Sequence, residues 1–313
     1  MPDILPADAV VPADEAEQLS ARVADLELPG IVDVHTHFMP KRVMDKVWAY
    51  FDQAGPLIGR PWPIAYRSGE SERLAALRGF GVLRFASLTY PHKPDMAQWL
   101  NGWCAEFAAR TPDCLHSATF FPEPGAGAYV AAAVTAGARV FKAHVQVGDY
   151  DPNDPLLDHV WALLADSKIP VVIHAGHGPA PGRFTGPAAM RRLLARFPDL
   201  VLIMAHLGMP DYADFLDLAD KHAGVHLDTT MAFTAFTEQT HPFPHDQRPR
   251  LVDLAERILF GSDFPNIPYS YLDAVDAVIG LGLGPAWTRA VLHDNASRLF
   301  DLAASIPPDA TSP

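Results

Sequence analysis

The chain has 313 residues, 49% hydrophobic and 19% charged, with a formal net charge of −13. That length suits one α/β barrel with insertions and is long enough to bury a large core. The acidic balance, with no basic patch to neutralise phosphates, excludes a nucleic-acid partner. No apolar run reaches the length of a membrane span, so no membrane partner is expected either.

In chain order, the opening MPDILPADAVVPADEAEQLS has neither a basic region nor an apolar stretch, so no secretory signal is expected. Residues 1–28 read as a loosely attached tail or extension, residues 29–303 as a single barrel domain, and residues 304–313 as a second tail. Short apolar runs rich in β-branched residues predict strands at Ile31–His35, Val82–Leu88, Leu115–Phe120, Arg139–Val145, Pro170–His174, Leu200–His206, Gly224–Asp228 and Arg257–Gly261. Longer amphipathic runs predict helices at Asp95–Arg110, Ala126–Ala136, Pro155–Ser167, Pro187–Phe197, Asp211–His222 and Pro249–Ala255. Near-continuous apolar strands are what a parallel sheet buried on both faces requires. Eight of them alternating with helices predict an α/β fold, a (β/α)8 TIM barrel, with an open doubly wound sheet as the alternative.

Two segments interrupt the rhythm. Residues 39–67, rich in Pro, Gly and aromatics, form an insertion after the first strand, and residues 229–248 form another after the seventh. Long loops of this kind serve as lids or walls, which makes Trp62, Phe233 and Phe236 candidate pocket walls. Cys104 and Cys114 show no CxxC spacing, so neither a disulfide framework nor a cysteine metal site is expected, and a reducing cytoplasm fits.

Polar residues fall where the strands end. IVDVHTH closes on His35 and His37, PVVIH on His174, LIMAH on His206, and ILFGSD on Asp263. All strand C-termini of a parallel barrel share one rim, so these residues are expected to converge at one mouth. Alternation puts His35 and His37 on one face, where they can grip one ion. Imidazoles with a carboxylate suit a divalent Zn, Mn or Fe ion better than Ca or Mg. Asp263 could then be both ligand and general base, and His206 could polarise the substrate or relay a proton. Strand-end histidines are also common as hydrogen-bonded barrel-mouth residues. Lys142 and His144 lie on the fourth strand, and an unpaired lysine inside a barrel is costly, so Lys142 is expected to bind substrate or a nearby carboxylate. His144, His177 and Arg183 are weaker candidates for substrate binding, Arg183 as a clamp for a carboxylate. Asp228 ends the seventh strand and is a candidate anchor of the mouth.

No phosphate-cradling glycine loop follows the first strand, and no GxSxG elbow is present, which argues against nucleotide-binding and serine-hydrolase chemistry. The ordered set IVDVHTH, VVIHAG, IMAHLG, LFGSDFP and HDNASRLF resembles the amidohydrolase superfamily, in particular the amidohydrolase-2 branch that holds aminocarboxymuconate-semialdehyde decarboxylase and related hydrolases. The resemblance spans Pro29 to Asp301. It implies His35, His37, His174 and Asp263 as ligands of one divalent metal, with His206 as the catalytic or second-metal histidine. It also puts Lys142 where binuclear members carry a bridging carboxylated lysine, and gives Asn295 a structural role. The expected function is hydrolysis of a small organic acid derivative, a lactone, ester or amide, by metal-activated water. Decarboxylation of an aromatic or unsaturated acid is the alternative, and a non-catalytic barrel with a decayed site the third reading. The expected partner is a small molecule, with an isologous homodimer as the default assembly.

Overall fold

A computed structural model describes residues 11–302; residues 1–10 and 303–313, which take in the outer part of the expected N-terminal tail and all of the expected C-terminal one, lie outside the described residues. The strands are β1 (Ile31–Thr36), β2 (Val82–Ser87), β3 (Cys114–Leu115), β4 (Ser117–Thr119), β5 (Val140–His144), β6 (Val171–His174), β7 (Leu202–Met204), β8 (Val225–Asp228) and β9 (Ile258–Leu259). They pair in the order β1-β2-β3 and β4-β5-β6-β7-β8-β9, and every pair is parallel. β3 and β4 are two halves of the expected third strand, parted at His116, whose carbonyl accepts a hydrogen bond from Arg139 N at 2.7 Å. At the other seam, Val34 N donates to Phe260 O at 2.9 Å and His37 N to Phe264 O at 2.7 Å, which joins the first strand to the last. The arrangement is a (β/α)8 barrel.

Burial explains why these runs take this form. Every residue of β1, β5 except His144, and β6 is buried, as a sheet covered on both faces requires. A smaller core cluster draws Val32, Val34, Ala86, Leu115, Val140, Val172, Ile203 and Leu259 from around the ring, together with Phe300 and Leu302 near the chain's end. A larger cluster, including Ile31, Phe85, Phe141, Ile173, Met204 and Leu227, packs the strands against the surrounding helices. Those helices include Ala97–Arg110, Ala126–Thr135, Asp158–Ser167, Pro187–Arg196 and Tyr212–Lys221. Local chemistry sets their starts. Pro187 sits in the first turn of its helix, where its missing N–H costs nothing. Ser270 and Asp273 cap the helix Tyr271–Ile279 reciprocally, each side chain accepting from the other's backbone N–H.

Two expectations change. The insertion at 39–67 carries a helix, Lys41–Gln53, and a short turn, Gly55–Ile58. The loosely attached N-terminal segment is instead a packed helix over Glu15–Asp25. Leu19 is fully buried there, the Glu15 carboxylate accepts from the Tyr66 hydroxyl at 2.6 Å and from Leu272 N at 3.0 Å, and Arg22 pairs with Asp276 at 2.8 Å.

Candidate active site

β1 ends with an irregular register against β2 between Asp33 and Thr36. Asp33 turns away from the barrel mouth: its carboxylate accepts from Ser262 Oγ at 2.6 Å and from the Tyr271 hydroxyl at 2.9 Å. His35 and His37 both face a cavity at the C-terminal ends of the strands. Lys142 and His144 follow Val140 on the same face of β5, and His174 follows Val172 on β6, so simple alternation carries them there. His206 and Asp263 arrive by backbone turns instead, with φ of 57° and 69°. Left-handed conformations at non-glycine residues cost about 1–3 kcal/mol and persist only where the surroundings impose them. Here Asp228 Oδ1 accepts from His206 N at 2.8 Å, and His35 O accepts from Asp263 N at 2.8 Å. Gly261 completes the approach: a side chain there would run into Thr230 Oγ1 and meet His35 Cβ at 2.8 Å.

The ring nitrogens show what the cluster can hold. His37 Nδ1 donates to Leu88 O at 2.7 Å, and its Nε2 lies 2.8 Å from Asp263 Oδ1. With the proton on Nδ1, a neutral His37 would set a lone pair against a carboxylate oxygen, so a proton or a cation belongs between them. His35 repeats the pattern: Nδ1 donates to Asp228 Oδ2 at 2.9 Å, and Nε2 faces Lys142 Nζ at 3.0 Å and Asp263 Oδ1 at 3.5 Å. Buried carboxylate and carbonyl partners on the far nitrogens are the arrangement that orients imidazole ligands of a metal. Donor atoms of His35, His37 and Asp263 all lie within 4.8 Å of one another. This donor set fits a divalent ion.

His174 stands beside that trio. Its ring stacks on His144 at 4.2 Å and lies 4.7 Å from His206, but its Nε2 donates to Gly178 O at 2.8 Å, which leaves Nδ1 as the nitrogen free to bind an ion. His206 Nδ1 donates to Thr230 O at 3.1 Å, so its Nε2 carries the lone pair.

Burial, followed by the charge of Lys142, lowers His35 to about 4; burial and then neighbouring His206 lower His174 to about 3. Burial likewise lowers His206 to about 4, His144 well below its ordinary value, and Lys142 to about 8. Burial is the largest influence on the acids and acts the other way, yet His35 and His206 together outweigh it at Asp228, which falls to about 2, and His37, His35 and His206 together outweigh it at Asp263, which is held below the usual carboxylate range. Neutral imidazoles beside ionised carboxylates are the protonation states metal binding needs.

The cavity measures about 690 Å³. It is lined by all of His35, His37, Lys142, His144, His174, His206 and Asp263. His177 and Arg183, expected to bind substrate, are not among its lining residues. His177 is taken up by Asp211, whose Oδ2 lies 2.7 Å from its Nδ1, and Arg183 is exposed with its guanidinium 4.9 Å from the Phe184 ring centre. Of the expected aromatic walls, Trp62 lines the cavity, whereas Phe236 packs edge-on behind Trp62 and Phe233 packs on Phe243. Three features escaped the sequence reading. Tyr90, beyond the end of β2, sets its ring 5.6 Å from His37 and 4.7 Å from His144. The helix Lys41–Gln53 supplies a wall through Arg42, Lys46 and Tyr50. Asn266, three residues past Asp263, accepts from Trp48 Nε1 at 3.0 Å on its side chain and from Trp62 Nε1 at 2.7 Å on its carbonyl. Tyr90 lies just past a strand end, the same signal that marked the histidines.

The amidohydrolase family model Amidohydro_2 matches residues 32–302. No curated protein sequence matches the chain significantly. Among solved structures, the chain is similar to a TIM-barrel protein of uncharacterised activity from Bordetella bronchiseptica, with 21% identity, 88% of this chain and 99% of that chain covered, and a TM-score of 0.67. It is similar to a protein assigned as a 2-pyrone-4,6-dicarboxylic acid hydrolase from Pseudomonas putida, with 18% identity, 87% and 97% covered, and a TM-score of 0.59. It is also similar to the 5-carboxyvanillate decarboxylase of Novosphingobium aromaticivorans, solved with manganese and a substituted nitrobenzoic acid, with 13% identity, 87% and 97% covered, and a TM-score of 0.60.

Proposed function

The chain belongs to the amidohydrolase family, whose members are metal-dependent enzymes, and on that premise we propose that it hydrolyses a lactone, ester or amide of a small organic acid with one divalent ion. Zn is the expected ion, with Mn or Fe as the other candidates for this donor set. The observation that carries the reading is the 2.8 Å approach of His37 Nε2 to Asp263 Oδ1, with the far nitrogen of His37 already donating to Leu88 O. His35, His37 and Asp263 would hold the ion, with His174 completing the set through its free Nδ1. A bound ion supplies Lewis-acid polarisation and lowers the pKa of water toward neutrality.

The protein's own groups do the rest. Asp263 is ionised before the reaction and would accept the proton released as water attacks. His206 presents its Nε2 lone pair to the cavity, so in its neutral form it would take over the proton collected by Asp263 and pass it to the leaving group instead of donating a hydrogen bond to the substrate carbonyl. Lys142, 3.0 Å from His35 Nε2, is placed to bind an anionic group of the substrate or to stand beside the ion. Tyr90 and His144 exclude water on the side of β5.

Decarboxylation of an aromatic acid is the second reading, favoured by the likeness to a decarboxylase solved with manganese and an aromatic acid. The test is elemental analysis of protein purified without chelator, beside Asp263→Ala, followed by a panel of lactones and aromatic acids. About one ion per chain, lost in the variant, with turnover of lactones falling about 10²–10⁴-fold, supports the hydrolase. Carbon dioxide release from the acids selects the decarboxylase. No metal, and none taken up from added Zn or Mn, overturns both.

A further inference from the structure

The chain is strongly acidic, with 37 Asp and Glu against 24 Lys and Arg. Its cavity is the reverse. Arg42, Lys46, Lys93 and Lys142 line it, and among the described residues Asp263 is the one carboxylate of the lining. Lys142 belongs to the floor, but the other three are exposed and stand at the mouth. Arg42 and Lys46 are one turn apart on the helix Lys41–Gln53, so they share a face. Lys93 comes from the loop after β2. It lines the cavity with His92 and Lys46, so the cations reach one mouth from two separate elements.

Among the described residues these cations have no paired carboxylate. Among the described residues, Lys41 pairs with Asp45 at 2.8 Å on the same helix, whereas Arg42, Lys46 and Lys93 form no ion pair. Like charges gathered at a concave mouth repel one another, and an anion relieves that repulsion. Apolar surface accompanies them: Tyr50 and Trp99 are 50% and 53% exposed, and both line the same mouth. The cavity, at about 690 Å³, lies in the range of sites that enclose ligands well beyond a single ring.

We propose that the substrate is an extended anion whose reacting group sits on the histidine floor and whose second, remote carboxylate is read at the rim by Arg42, Lys46 and Lys93, with its apolar body against Tyr50 and Trp99. This rests on the enzymatic reading above for the reacting end only; the rim recognises charge whether or not the floor turns substrate over. It makes the three cations specificity-determining residues and the aromatics the platform that spaces the two ends.

The test compares binding of biphenyl-4-carboxylate and biphenyl-4,4′-dicarboxylate by calorimetry. Both are measured on the native chain, on Asp263→Ala, and on the combined variant Arg42→Ala, Lys46→Ala, Lys93→Ala, whose changes all fall on exposed side chains. The native chain is expected to favour the dicarboxylate by about tenfold or more, a preference that falls to about twofold in the combined variant and in about 0.5 M salt. Asp263→Ala is expected to keep the preference, which separates the rim from the chemistry. An equal affinity for both probes in the native chain, a preference that survives in the combined variant, or binding of neither probe overturns the rim assignment. Absence of metal and of turnover in the native chain, with the preference intact, overturns the enzymatic reading and leaves the rim standing.

Discussion

His35 on the cavity floor is 1% exposed and fixed at both ring nitrogens, whereas Lys46 on the rim is exposed and touches no counter-charge among the described residues. The floor is dry and over-determined, each side chain held by a second buried group. The rim is wet, and its cations stand on an exposed helix face and on the loop after β2. Polar groups in a low-dielectric interior must be fully satisfied, so the floor tolerates little change and its residues work as a unit. Exposed charges are screened and add nearly independently, so the rim can change one residue at a time. Chemistry is placed where structure is stiff, and selectivity where it is cheap to alter.

Breaking the floor from behind gives the largest effect. Asp228→Asn keeps the shape but removes the charge on His35 Nδ1, and metal affinity is expected to fall about 10–100-fold, read by competition with a chelator. The dicarboxylate preference of the rim is expected to remain, and its loss would join the two regions into one. Unchanged metal affinity would show that Asp228 does not orient the ligand.

A smaller effect comes from steric intrusion. Gly261→Ala pushes a methyl group at His35 Cβ and Thr230 Oγ1, and overpacking of this kind costs about 1–3 kcal/mol, measured by urea unfolding. An undiminished midpoint would mean that β1 moves aside freely, contrary to a stiff floor.

The smallest effect concerns acid stability. His226 lies on β8, its Nδ1 finds no partner among the described residues, and burial followed by Arg257 and Arg298 lowers it to about 4. Its folded pKa is below its unfolded value of 6.5, so it contributes stability above that pH and loses it as pH falls from 6.5 toward 4. His226→Gln is expected to flatten the fall of the unfolding midpoint in that window. A parallel pH profile for both proteins would remove His226 from the account.

Much of this was legible in the sequence because a parallel barrel sends every strand end to one rim. His35, His37, His174, His206 and Asp263 each close an apolar run, and all line one cavity. The same rule misled at His177: Asp211, 34 residues away in sequence, captures the ring, and such pairing is invisible to local pattern. The helix Lys41–Gln53 went unseen because Pro40 and the Gly55–Pro56 pair frame it with loop signals, and its packing shows only one buried residue, Met44. The split at His116 had no local signal, since LHSATF reads as one strand. Rim selectivity was not legible at all, for it depends on which exposed cations face one another across a gap.

Asn266 ties these regions mechanically. Its backbone N donates to Asp263 O at 2.9 Å, while its side chain and carbonyl take the indole N–H groups of Trp48 and Trp62. The rim helix therefore cannot swing outward without losing hydrogen bonds worth about 1 kcal/mol apiece, and their anchor is the turn that holds the reacting carboxylate. Transplanting the insertion into another barrel would carry its selectivity across only if the loop after β9 travelled with it. The two segments, 218 residues apart in the chain at Trp48 and Asn266, form one inheritable cassette.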